Sequence, residues 1–197
     1  MSESRPEDAR ALFESVPESD PGYFEALQKL ANMQWQEGDF EGALESFAKL
    51  AGKLPNDPSA YLNLSWVLYR LGRPFDSEVA ALRAIEIAPD LVAARYNVAF
   101  FRLAQGNIPD AIQAYVRAMR RDGAMEYFGQ ARGHLLQLQS ERPDFPDVHY
   151  ALAFFANSIG NRQLEVEELE RYLAMNPTGE PVEVARQRLE EAKAALN

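Results

Sequence analysis

Two histidines, His134 and His149, are the first candidates for acid–base or metal chemistry in this chain. They fall on different predicted helices, with no acid clustered at metal-ligand spacing, so no metal site is expected from them. The tetrad Ser46-Phe47-Ala48-Lys49 has the Ser-x-x-Lys shape of some acylating enzymes, but its companion motifs are missing and it reads as an outer stretch of helix. Glu165, Glu167, Glu168 and Glu170 read as a solvated charge run rather than a placed acid and base. The triplet Asn63-Leu64-Ser65 fits a glycosylation acceptor, yet it is predicted helical. With no cysteine and no glycine-rich phosphate loop, the chain offers no catalytic constellation, and neither enzyme activity nor a cofactor is expected. What remains are residue types suited to recognition. Asn63 and Asn97 stand thirty-four positions apart, each with an aromatic three residues on, Trp66 and Phe100. An Asn side chain both donates and accepts, and aromatic rings give large contact area at low entropic cost.

Composition narrows the partners. The formal charge is −10 over 197 residues, against general nucleic-acid or anionic-membrane binding, where a basic footprint supplies most of the affinity. Residues 95–132 run the other way, with six Arg against three acids. Arg117, Arg120 and Arg121 end a predicted helix there, where cations complement the helix dipole. No apolar run is long enough to cross a bilayer, and the first twenty residues lack the basic and apolar regions of a signal peptide. A cytoplasmic protein is the expectation.

The elements that must carry these side chains repeat. Segments such as 26-ALQKLANMQW-35 and 60-AYLNLSWVLYRL-71 place apolar residues three and four apart, the mark of an amphipathic helix. Gly38, Gly72 and Gly106 recur at a step of 34, as do Pro21, Pro55 and Pro89; Pro143 and Pro177 keep the same step. Five residues after each glycine comes a small residue or its substitute: Ala43, Ser77, Ala111 and, after Gly160, Glu165. Four further on stand Phe47, Ala81, Tyr115 and Leu169. Pro74 and Pro109 sit in the first turn of a helix, where a missing N–H costs little. Pro55, Pro89 and Pro177 stop helices.

In this 34-residue step and its A-x3-F…P pattern the chain resembles the tetratricopeptide repeat family, over about residues 24–123 and 146–177. The resemblance implies an all-α, right-handed superhelical solenoid of antiparallel helix pairs, here about eleven helices. Three repeat units are expected at 24–57, 58–91 and 92–123, and a fourth at 146–179. The register breaks between Gly106 and Gly160, where residues 124–145 fit one helix, with Ala131, Leu135 and Leu138 in second-helix register. Residues 1–22 fit a lone helix carrying Ala9, Phe13 and Val16, and residues 180–197 a polar capping helix.

The family lines a concave groove mainly with first-helix residues. Carried over here, that face holds Asn32, Trp35, Asn63, Trp66, Tyr69, Arg70, Tyr96, Asn97, Phe100, Tyr150 and Phe154. Together they imply an interaction scaffold that takes an extended or helical segment of a protein partner. A competing expectation is that the groove receives a terminal helix of the same chain or of a second copy, or that the chain is a non-catalytic subunit of an enzyme. One subclass binds acidic chaperone tails through three cations and two Asn. The matching positions read Gln28, Asn32, Asn63, Ala93 and Asn97, so the cations that pair a carboxylate are absent and that ligand is not expected.

Overall fold

The computed structural model describes residues 6–179 and 181–196; positions 1–5, 180 and 197 of the expected terminal segments, and the side chains of Pro6, Asp8 and Ala9, lie outside them. Among the described residues there are eleven helices and no strand. They are α1 (Pro6–Glu14), α2 (Tyr23–Glu37), α3 (Phe40–Lys53), α4 (Pro58–Arg70), α5 (Pro74–Ile87), α6 (Val92–Ala104), α7 (Ile108–Met119), α8 (Ala124–Glu141), α9 (Asp147–Ser158), α10 (Arg162–Ala174) and α11 (Pro181–Ala194). The chain forms two compact units, residues 1–94 and 95–197.

One turn design is used four times, and Gly38 shows it. At φ +80° its backbone is left-handed, which only glycine adopts cheaply. The next amide, of Asp39, then donates back to Gln34 O at 2.9 Å and satisfies the end of α2. Arg73 N to Leu68 O, Asn107 N to Arg102 O and Asn161 N to Ala156 O repeat that bond behind Gly72, Gly106 and Gly160. The residue after the glycine caps the following helix: the side chains of Asp39, Asn107 and Asn161 accept from the amides of Gly42, Asp110 and Leu164. Arg73 cannot cap this way, and Pro74 follows it at the first position of α5.

In the first unit, α2 packs on α3, α3 on α4 and α4 on α5, around a core that includes Leu27, Leu30, Phe47, Leu50 and Val67. Phe13 and Val16 pack against its edge from the α1 segment. The small positions Ala31 and Ala43 are fully buried, which lets the helix axes approach closely.

In the second unit an aromatic cluster forms the centre. Tyr115 of α7 meets Phe155 of α9 edge-on at 5.0 Å, Phe128 of α8 lies 4.8 Å from Phe155, and Tyr96 of α6 lies 6.2 Å from Tyr115. Ala131, Leu135 and Leu138 turn α8 toward this core. The pair α9–α10 follows, and α11 lies on α10 through Val182, Ala185, Leu189 and Ala192.

Candidate functional site

The expected recognition face divides by burial. In the first unit α2 carries Asn32, exposed, and Trp35, half-buried. Helix α4 carries Asn63, Trp66 and Tyr69, all half-buried, and Arg70, exposed. The rings of Trp66 and Tyr69 stand perpendicular at 5.9 Å. Trp35 meets Phe40 edge-on at 5.3 Å, and the Arg70 guanidinium lies 4.6 Å above Phe40 and 6.0 Å from Trp35. Thus Arg70 ties the end of α4 to the end of α2 by cation–π attraction and holds a positive charge at the surface beside an indole.

In the second unit the face is closed where an open wall was expected. Tyr96, Asn97 and Phe100 are only 3 %, 5 % and 3 % exposed. Helix α8 covers two of them: the Tyr96 hydroxyl donates to Ala124 O at 3.4 Å, and Phe100 packs on the His134 ring at 5.9 Å. The physical reason is that α8 must bury its own apolar stripe, and α6 offers the face for it. A signal for this stands in the α6 sequence, VAARYNVAFFRLA, where apolar residues extend beyond a single stripe: Tyr96, Val98, Ala99, Phe100, Phe101 and Leu103 are all buried, while Arg95 and Arg102 keep part of their surface in water. Burial also lowers the His134 pKa, against imidazolium chemistry there.

Tyr150 and Phe154 of α9 remain half-buried. Tyr150 lies 5.2 Å from Tyr172 and lines an apolar cleft of about 190 Å³ with Ile108, Pro109, Ile112, Gln113, Pro181 and Val184. A second cleft, of about 440 Å³, is walled by four prolines (Pro109, Pro146, Pro177 and Pro181) with Phe145, Met175 and Asp147 among its other residues. Burial pushes the Asp147 carboxyl up to about 6, although the charge of Arg142 pulls the other way.

Other sequence readings change in three dimensions. Glu165 and Glu168 are 2 % and 4 % exposed, not solvated. Glu165 accepts from Arg162 at 2.6 Å and from Arg188 of α11 at 2.7 Å. Glu168 meets His149 Nδ1 at 2.7 Å and Arg171 at 2.8 Å. A buried carboxylate survives only when paired in this way. The position of Glu165 in the repeat was the clue: its counterparts Ala43, Ser77 and Ala111 are all fully buried. Ser46 likewise is buried, its hydroxyl donating to Gln34 Oε1 at 2.8 Å, so it does not lie on an outer stretch. Arg117, Arg120 and Arg121 are exposed. Among the described residues no group of three or more metal-binding side chains converges. No helix among them is long and apolar enough to cross a membrane.

Comparison with known proteins follows the helix architecture. A family model described as a tetratricopeptide repeat matches residues 1–64. No curated protein sequence matches the chain. Among solved structures, MamA is similar at 20 % identity over 87 % of this chain and 88 % of its own, with a TM-score of 0.56. A thermophilic TPR protein of Thermus thermophilus is similar at 20 % identity over 97 % and 92 %, with a TM-score of 0.54. YrrB, described as a TPR protein with an unusual peptide-binding site, is 17 % identical over 94 % and 84 %, also at 0.54. Likeness at this identity speaks to the fold.

Proposed function

Because the chain is a tetratricopeptide repeat protein, we propose that it is a non-catalytic scaffold holding an extended segment of a protein partner. The surface proposed for that task is the first-unit face of Asn32, Trp35, Asn63, Trp66, Tyr69 and Arg70. One observation carries the reading: on α2 and α4 the aromatic rings keep part of their surface in water, with Asn and Arg beside them. Aromatic anchors beside groups that can donate and accept suit a peptide, whose backbone offers both partners at every residue. A peptide-binding site is described for YrrB, which shares this architecture. In the second unit, Tyr96, Asn97 and Phe100 drop out of the proposed surface because they are buried, and Tyr150 and Phe154 stay part-exposed on α9. Acidic chaperone tails are not the proposed ligand, since Gln28 and Ala93 stand where cations would be needed. The repeat boundaries proposed are those of the 34-residue step.

The test is selection of displayed random peptides on the full chain, followed by calorimetry with an enriched peptide. Trp66→Ala is expected to weaken binding by at least about tenfold, the loss typical of a central aromatic anchor. Asn63→Ala should weaken it several-fold. No enriched peptide, or equal affinity for folded variants, would refute the proposal.

A further inference from the structure

Asp147 is a half-buried carboxyl group without a partner. It opens α9 and lines the cleft of about 440 Å³ walled by Phe145 and four prolines. Among the described residues it makes no hydrogen bond and no ion pair, and it is the one ionisable side chain lining that cleft. Two groups stand close enough to feel its charge, and neither satisfies it. The Arg142 guanidinium pulls its pKa down, yet stacks on the Phe145 ring at 3.9 Å and donates to Ala104 O at 3.1 Å. Burial, with the Asp147 charge adding to it, pushes the Tyr172 hydroxyl up to about 12, and that hydroxyl has no hydrogen-bond partner either. A carboxylate held partly out of water is costly unless a donor pairs with it.

The cleft itself narrows what that donor is. Its volume falls in the range of pockets that hold small ligands, roughly 300–1,000 Å³. Prolines and an aromatic ring give methylene groups a dry surface to lie on. A guanidinium is more weakly hydrated than an ammonium, so it loses less on entering such walls, and its fork meets both oxygens of one carboxylate. The formal charge of −10 on the whole chain favours a cationic segment over an anionic one. We propose that this cleft binds an arginine side chain of a protein partner, its guanidinium forked on the Asp147 carboxylate and its methylenes laid against the prolines. The site lies wholly in the second unit, and it rests on the scaffold reading only in that the arginine arrives on a protein.

Amide NMR of the full chain, titrated with Nα-acetyl-arginine amide, reads the cleft alone. Saturable shifts are expected at Gly106, Asp147 and Asn176, with a dissociation constant on the order of one millimolar. The citrulline analogue, of the same shape without the charge, should not bind. Neither should arginine bind Asp147→Asn, a variant that removes an unpartnered charge and so should fold. Pairing needs the ionised carboxylate, which is present above its pKa of about 6 and lost below it. Binding should therefore weaken about tenfold between about pH 7 and pH 5. For the partner, displayed peptides are depleted on the Asn variant and selected on wild type, and arginine at one fixed position should be enriched. No shifts, equal binding of citrulline, or binding retained by Asp147→Asn overturns the proposal. Equal binding of Nα-acetyl-lysine amide overturns the choice of a guanidinium. Enriched peptides without arginine, beside a bound arginine probe, overturn the protein source and leave a site for free small cations. If no peptide is enriched at all while the probe binds, the scaffold reading fails and takes the protein source with it.

Discussion

Replacing Tyr115 by Phe should stabilise this protein. The Tyr115 side chain is wholly buried, and its hydroxyl has no hydrogen-bond partner among the described residues. Its neighbours are rings: Phe155 at 5.0 Å and Tyr96 at 6.2 Å, with the Tyr96 hydroxyl directed instead to Ala124 O. Burial holds the phenol far above its ordinary pKa, consistent with a site that does not solvate charge. A desolvated hydroxyl with no partner costs about 1–3 kcal/mol. Removing one oxygen leaves a void of roughly 15 Å³, worth about 0.4 kcal/mol in lost packing. The net expectation for Tyr115→Phe is a gain of about 1–2 kcal/mol. At roughly 2–4 °C per kcal/mol for a chain of this size, the thermal midpoint should rise by about 2–8 °C. Urea unfolding followed by circular dichroism should show a higher midpoint with an unchanged slope, since the exposed surface on unfolding is the same. A loss of stability on losing this oxygen would refute the reasoning. It would mean that the hydroxyl is satisfied by a buried water, and that the cluster under α8 is held by a polar bridge as well as by packing.

Asp147→Asn tests the second-unit cleft through pH. With its folded pKa raised to about 6, Asp147 favours the folded state while protonated, and that contribution disappears as pH rises from about 4 through 6. Over that window the Asn variant should gain on wild type, by about 1–2 kcal/mol once the half-exposed site is discounted for solvent screening. Equilibrium unfolding across pH 4–8 checks this, and a difference independent of pH would overturn it. Arg188→Ala removes the arm that ties α11 to the buried Glu165, leaving Arg162 to carry that charge. A loss of about 1–3 kcal/mol is expected, with hydrogen exchange speeding first in residues 181–194; unchanged protection there would count against the ion pair.

Most of the helix architecture was legible in the residues because its causes are local. The 3.6-residue apolar period, the proline stops and the glycine at each inter-helix turn act within one or two turns of chain, so segments such as 60-AYLNLSWVLYRL-71 announce themselves. The capping Asp39, Asn107 and Asn161 were equally local and could have been read beside their glycines. The candidate site was legible only in part. Trp66, Tyr69 and Arg70 keep a share of the surface, but periodicity identifies an apolar face without identifying what covers it.

Tertiary structure alone decided the rest. The sequence determined that a helix out of step with the repeat falls within residues 124–145; packing decided that this helix lies over Tyr96 and Phe100 and takes them out of solvent. It determined that Glu165 fills the slot of a small buried residue; packing supplied Arg188, 23 positions away, to make that tolerable. The physical reason is the same in both cases. A side chain's preference for water or for the interior is written in its own chemistry, whereas the partner that satisfies it comes from another part of the chain and exists only once the helices have assembled.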